Sequence, residues 1–344
     1  LEALRMLAEQ LADIETIDRI VRMEGGFRMG PFELMDLVGV DTGLEVSKSF
    51  YELSFGEPRW RPSPITARYA AAGLHGRKSG RGYYDYSGLA EGGRYREEDP
   101  APPSPERNEA EGVLVIAGAG VLADELRQAA AAAGFEVRAP HEPSGGVLPS
   151  LIVECDRRPA GDDEDGASEA AADRGAARLV LCAHGSLGAL DPGGSAVGFH
   201  VLPPFEQARL VELTRTETSS PIAAGRAERL LAALGKHHEW VGDAPGLVLG
   251  RIVCQVINES AFALGEGVGD AQDIDTGMLL GLSHPRGPLA WADAIGLDHV
   301  LAVLDGLCDE YREERYRAAP ALRRLVRAGR TGRAAGAGFF EHPS

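Results

Sequence analysis

EALRMLAEQLADIETIDRIV (residues 2–21) and ESAFALGEGVGDAQDIDTGM (residues 259–278) decide the fold, because they align without a gap at a constant offset of 257. The register holds through Gly30-Pro31, Asp36, Gly39 and Asp41, matched by Gly287-Pro288, Asp293, Gly296 and Asp298. After a one-residue slip it resumes at Pro64 against Pro320, and it ends at GRKSGRGYYDY (76–86) against GRAAGAGFFEH (332–342). Two copies of one module so far apart predict a domain duplication; a solenoid would need short adjacent repeats. Each copy reads as helical: a capping Asp or Thr precedes an apolar-periodic stretch, and Gly-Pro marks the start of the next helix. The Gly-rich, aromatic end of each copy predicts a turn that lays rings back on the bundle.

Between the copies the pattern changes. VLVIA (113–117) reads as a buried strand, followed by GAGVLADELRQAAAAAG (118–134), a Gly turn running into an Ala-rich helix. EVRAP, SLIVE, RLVLC, AVGFH, ARLVEL and HEWVG supply further strand-like runs up to residue 242. This is the strand, Gly turn, helix, strand order of a dinucleotide-binding fold with too few helices for a complete one. The fold class expected is therefore α/β plus all-α: a reduced Rossmann-like domain flanked by two homologous helical domains. The boundaries fall at 1–90, 91–111, 112–242 and 243–344, with 91–111 a Pro-, Gly- and charge-rich linker. The acidic stretch PAGDDEDGASEAAADRG (159–175) has the composition of a mobile loop.

Composition bounds the function. The 344 residues are 44% hydrophobic and carry a net charge of −17. That charge argues against nucleic acid or an anionic membrane as partner, while leaving room for an anionic ligand met locally by basic groups and helix N-termini. No apolar run reaches the roughly 20 residues a membrane helix needs. Cys155, Cys182, Cys254 and Cys308 are widely spaced, as expected of reduced core cysteines in a cytoplasmic protein rather than of a disulfide or metal site. The sequence opens inside an amphipathic helix (Leu4, Leu7, Leu11, Ile14) without an initiator Met or an export signal, which predicts a chain cut short at its start.

Two constellations could carry chemistry. Gly118, Gly120 and Ala123 fit G-x-G-x-x-A between a strand and a helix, the pattern that lets backbone approach a pyrophosphate. The acidic residue that should follow the second strand is missing: Ala139-Pro140-His141 stand there, with Glu142 late, and the motif fits an inherited turn as well as an NAD site. His200 and Glu212, in GFHVLPPFEQARLVEL (198–213), end one strand and lie on the next. A carboxylate that orients an imidazole makes it a proton acceptor near neutral pH. The same spacing suits a buried or a surface ion pair.

GFRMGPFELMDLVGVD (26–41), LSHPRGPLAWADAIGLDHV (282–300), GRKSGRGYYDY, DAPGLVLGRIV (243–253) and GFHVLPPFEQARLVEL together resemble the L-3-hydroxyacyl-CoA dehydrogenases, in the long bacterial form with duplicated C-terminal domains. The resemblance implies a Rossmann domain that binds NAD and a helical domain that closes over acyl-CoA and makes a homodimer. It implies further that the main catalytic domain lies ahead of Leu1. His200 takes the place of the family's base and Glu212 that of its orienting carboxylate. The family's substrate-contacting Ser falls on Gly185, with Ser186 beside it as a substitute, and its Asn falls on Gly250. Glu154 matches an acidic residue near the cofactor. Gly30-Pro31-Phe32-Glu33 and Arg77-Lys78 fall where the family closes over its substrate. Oxidation of 3-hydroxyacyl-CoA to 3-ketoacyl-CoA is thus the expected activity of the parent enzyme. With these helpers lost, an inactive dimerisation and acyl-CoA-capture module is the alternative for these residues.

Overall fold

The computed structural model describes residues 1–88, 110, 112–140, 142, 148–159 and 176–343. The linker (except residue 110) and the acidic stretch beyond residue 159 lie outside the described residues. The chain separates into two compact units, Leu1–Ser104 and Pro105–Ser344.

The first unit is helical: α1 (Glu2–Ala8), α2 (Ile14–Met23), α3 (Pro31–Val38), α4 (Val40–Leu53) and α5 (Pro64–Ala71). Asp13 caps α2 by accepting from Thr16 N at 2.8 Å. Its organising group is the buried carboxylate of Asp18, which accepts from Phe32 N at 2.9 Å, Glu33 N at 3.0 Å and the Tyr84 hydroxyl at 2.8 Å. It thereby satisfies the first free N–H groups of α3, whose N-cap residue, Gly30, has no side chain to do so. Asp36 does the same for the closing turn, accepting from Tyr83 N at 3.0 Å and Tyr84 N at 2.9 Å. Tyr83 is held on the bundle against Phe32 and Tyr69, with ring centroids 4.9 and 4.5 Å away.

The second unit begins with a seven-stranded sheet in the order β2-β1-β3-β4-β5-β6-β7. The strands are β1 (Val113–Ala117), β2 (Glu136–Arg138), β3 (Leu151–Glu154), β4 (Ala177–Leu181), β5 (Val197–His200), β6 (Leu210–Thr214) and β7 (His237–Val241). The first five are parallel and β6 and β7 run the other way, since only the β5–β6 pair is antiparallel. β3, β5 and β6 are buried along their whole length, as parallel or central strands covered on both faces must be. α6 (Val121–Ala133) packs on β1 and β2, and α8 (Pro221–Ala233) packs on β3, β4, β5 and β7. A single turn, α7 (Leu187–Leu190), follows β4.

The remaining helices are α9 (Leu249–Gly265), α10 (Ala271–Gly281), α11 (Pro288–Ile295), α12 (Leu297–Tyr311) and α13 (Pro320–Arg327). Asp275 accepts from Leu289 N and Ala290 N, both at 2.8 Å. Asp293 accepts from Phe339 N at 2.8 Å and Phe340 N at 2.9 Å. These bonds sit 257 positions on from those of Asp18 and one residue off that offset from those of Asp36. The turns agree as well. Gly76 and Gly332 adopt φ of 87° and 117°, and a Cβ on either would fall 2.3 or 2.4 Å from the carbonyl oxygen of Asp36 or Asp293. Only glycine fits there.

Among the described residues no helix is long and apolar enough to cross a membrane. The four cysteines are free, and burial pushes the Cys155 thiol up to about 12.

Burial also pushes the Asp18 carboxyl up, from 3.8 to about 7. The folded chain therefore keeps a proton that the unfolded chain has already released, and stability falls as pH rises between those values. Asp18→Asn should flatten the pH dependence of urea unfolding in that window; an unchanged slope would refute the assignment. Asp18→Ala and Asp275→Ala should each cost about 1–3 kcal/mol, because buried N–H groups lose their acceptors.

Candidate functional site

The Gly turn lies at the C-terminal edge of the sheet, where a doubly wound fold places its ligands, while His200 and Glu212 lie buried beside it. A cavity of about 620 Å³ lies there. One wall comes from Ala119, Gly120, Asp156 and Ala183, and the other from His299 and Ala302 on α12.

The Gly turn has the expected shape. Gly118 and Gly120 adopt φ of 102° and 103°, and the space over Gly120 is open. Ala123 is buried and packs α6 onto the sheet. The surroundings are of mixed charge. Asp156 sits against Gly118, its carboxyl carbon 3.0 Å from where a Cβ would be, and it lines the cavity together with Arg158 and Arg323. The Arg127 guanidinium turns inward to the Gly118 and Ile116 carbonyl oxygens, at 2.5 and 3.1 Å. β2 ends at Arg138, followed by Ala139 and Pro140 without a carboxylate, and Glu142 is exposed.

Glu154, expected near a cofactor, is itself buried and is committed to a half-buried ion network. Its carboxylate accepts from Arg178 Nε at 2.6 Å and from Arg157 at 3.0 Å, and Arg178 continues to Asp191 at 2.8 Å. Ser186, expected to touch substrate, precedes α7 and gives its hydroxyl to Glu310 at 3.0 Å; it does not line the cavity. Gly185 leaves the expected Ser position without a hydroxyl.

His200 and Glu212 are direct cross-strand partners, as their spacing suggested, and both are fully buried. The orienting hydrogen bond is not formed. Glu212 turns its two oxygens to Val248 N at 2.7 Å and Leu249 N at 2.8 Å, capping the start of α9. His200 Nδ1 has no hydrogen-bond partner. Its Nε2 instead lies 3.2 Å from Nε2 of His299. The cause is Gly250, for a Cβ there would lie 2.3 Å from His200 Cε1 and under 3 Å from both ring nitrogens. The ring occupies the volume a side chain at 250 would fill.

Electrostatics follow from this placement. Burial, and then the neighbouring His299, hold His200 well below the ordinary histidine range. Burial and His184 push His299 down to about 4. Such a pair holds one proton between two nitrogens and resists a second. His299 was the residue that sequence reading missed; its only signal was its place in the second copy, where the first carries Thr42.

Because His299 is lowered in the folded chain, stability is full above its unfolded value near 6.5 and is lost as pH falls towards about 4. Nitrogen-15 NMR of the imidazoles should show both rings neutral at pH 5.5. A protonated His200 or His299 at that pH would overturn the geometry described.

Comparison with known proteins agrees with this architecture. The family described as "3-hydroxyacyl-CoA dehydrogenase, C-terminal domain" matches residues 1–86 and 246–342, just over half of the chain. The 3-hydroxyadipyl-CoA dehydrogenase of Escherichia coli is 30% identical over 94% of this chain and 56% of its own length. A probable 3-hydroxybutyryl-CoA dehydrogenase of Bacillus subtilis is 38% identical over 42% of this chain and 51% of its own. The solved 3-hydroxybutyryl-CoA dehydrogenase of E. coli K12 superposes with a TM-score of 0.65 at 28% identity, covering 95% of this chain and 58% of that one. The chain thus spans about half the length of the curated relatives it matches, and it belongs to the 3-hydroxyacyl-CoA dehydrogenase family.

Proposed function

We propose that this chain is the helical, reduced Rossmann-like and second helical part of a cytoplasmic NAD-dependent L-3-hydroxyacyl-CoA dehydrogenase, and that its own α/β site supports the enzyme without turning over substrate. The domains run 1–90, 112–242 and 243–344 around a linker at 91–111, and the outer two are copies of one module. The repeated carboxylate caps and the family match to both stretches support the duplication. The parent enzyme would oxidise a 3-hydroxyacyl-CoA, such as 3-hydroxybutyryl-CoA, to the 3-ketoacyl-CoA. Acyl-CoA capture and homodimer formation fall to the helical domains.

One observation carries the reading of the inner site: the His200 ring fills the place of a side chain at 250 while Glu212 caps α9. A general base must reach the proton it takes and have a pKa near the working pH. His200 is buried, bonded to His299 and strongly disfavoured from accepting a proton. No hydroxyl or amide stands at 185 or 250 to hold a substrate oxygen. Each such positioned donor is commonly worth about 10²–10³ in rate.

The test is NADH formation from 3-hydroxybutyryl-CoA by this chain, beside the B. subtilis relative. Activity at least about 10³-fold lower is expected from the missing groups. The residue left should be unchanged in His200→Ala, with the fold checked by circular dichroism. Turnover within tenfold of the relative, abolished by His200→Ala, would defeat the proposal.

A further inference from the structure

Asp41 and Asp298 hold the same place in the two helical stretches, in the first turn of α4 and of α12. In the first stretch the carboxylate pairs with an ammonium group. Lys78 Nζ lies 2.5 Å from Asp41 Oδ1 and keeps that carboxyl below its usual range. In the second stretch Ala334 stands at the position of Lys78, and Thr331 at that of His75, which lies 3.8 Å from Asp41.

The backbones around the two carboxylates agree. Gly39 and Gly296 share φ 103°, with ψ 124° and 122°. Val40 N donates to the His75 carbonyl oxygen at 3.3 Å, and Leu297 N to that of Thr331 at 2.9 Å. A Cβ on Gly39 would lie 2.9 Å from Lys78 Nζ and 3.1 Å from Asp41 Oδ1. A Cβ on Gly296 would lie 2.8 Å from Asp298 Oδ1, and its next neighbours are Asp298 Cγ and the Thr331 carbonyl oxygen. The second stretch thus keeps the carboxylate without the lysine.

Asp298 lines the cavity of about 620 Å³ at the sheet edge, whose apolar lining includes Leu122, Leu181, Ile295, Ala302 and Val326. Asp156, Asp305, Asp309, Arg158 and Arg323 also reach it. Asp305 and Arg323 offset each other, with Nη1 donating to Oδ2 at 3.0 Å, and Asp309 lies 3.5 Å from Arg312. Asp156, Asp298 and Arg158 have no ion-pair partner among the described residues, which leaves two carboxylates to one guanidinium. His299, held down to about 4, adds no positive charge at neutral pH. Such walls suit a ligand that brings positive charge and an apolar body.

We propose that this cavity binds a small organic cation, a primary ammonium group on an aliphatic chain, with Asp298 as its counter-ion. The ammonium sits on Asp298 as Lys78 Nζ sits on Asp41, and the chain lies along Ile295 and Ala302. An ammonium brings three donors to a charged acceptor, so it is preferred over a neutral head of similar size. Neither the Gly turn nor His200 takes part, and the site is independent of dehydrogenase chemistry. The correspondence of Asp298 with Asp41 rests on reading the two helical stretches as copies.

Isothermal titration calorimetry at low ionic strength, where exposed charges are least screened, tests the proposal. The probe is n-hexylamine, with 1-hexanol and hexanoate as controls of equal chain length. The amine is charged at neutral pH and should bind about fivefold more tightly than the alcohol, the gain of one exposed ion pair. Hexanoate should bind more weakly than either. Asp298→Asn should remove the advantage of the amine. Ala334→Lys, which restores the lysine of the first stretch, should compete with the probe and weaken it about fivefold. Both positions are exposed, and circular dichroism checks that each variant folds. Equal binding of amine and alcohol, preference for hexanoate, no heat from millimolar amine, or unchanged affinity in either variant overturns the proposal. The titration contains neither NAD nor acyl-CoA, so turnover at the inner site would defeat the functional reading and leave this one standing. A negative titration would likewise leave the shared carboxylate caps, and the duplication they support, in place.

Discussion

The imidazole of His200 and the missing side chain at 250 occupy one volume, and the functional character of the second unit depends on which of them fills it. With glycine there, the ring settles over the start of α9 and its outer nitrogen reaches α12. The settlement has two consequences. It removes the imidazole from the reach of any ligand in the cavity, and it frees the Glu212 carboxylate for the N–H groups that open α9. A helix N-terminus is a strong competitor for a carboxylate, because its first N–H groups have no other acceptor and its dipole favours negative charge. The unit thereby exchanges an orienting bond for a cap, and the sheet edge becomes tied to the helices that cover it.

The same economy of buried carboxylates runs through the helical parts. Asp18, Asp36, Asp275 and Asp293 are all buried, and all four spend their oxygens on backbone N–H groups brought together from distant positions. A buried carboxyl group, charged or neutral, is tolerated only when hydrogen-bond partners meet it. These four therefore fix the loops in space as firmly as the apolar core does. They explain why the Gly-Pro junctions and the Gly-rich endings recur together in both stretches: each aspartate needs a helix start or a turn presented at one geometry.

The sheet was almost fully legible in the sequence. All seven strand-like runs form strands; the buried ones were plainest, because a strand covered on both faces must be a short, nearly continuous apolar run. The Gly118–Gly120 turn was legible as well. Side-chain commitments were not. Nothing in the spacing of Glu154 tells that Arg178, 24 residues on, will take it, and nothing in the spacing of Ser186 points to Glu310. Both depend on which strands and helices become neighbours, which local periodicity does not encode. The same holds for the His200–Glu212 pair: strand register places the two residues side by side, but the choice between each other and a third partner is made by α9 and α12.

That distinction shows in what the two helical stretches share. Where a cap or a turn glycine is changed, buried N–H groups or a clash make the whole module unstable, so both stretches keep Asp18 with Asp275 and Gly76 with Gly332. In the α/β part, side chains whose spacing suggested chemistry have structural partners instead. Glu212 caps α9, Ser186 donates to Glu310 and His200 lies against His299. A side chain at 250 would have to displace the His200 ring, and the displaced ring would leave His299 without its partner.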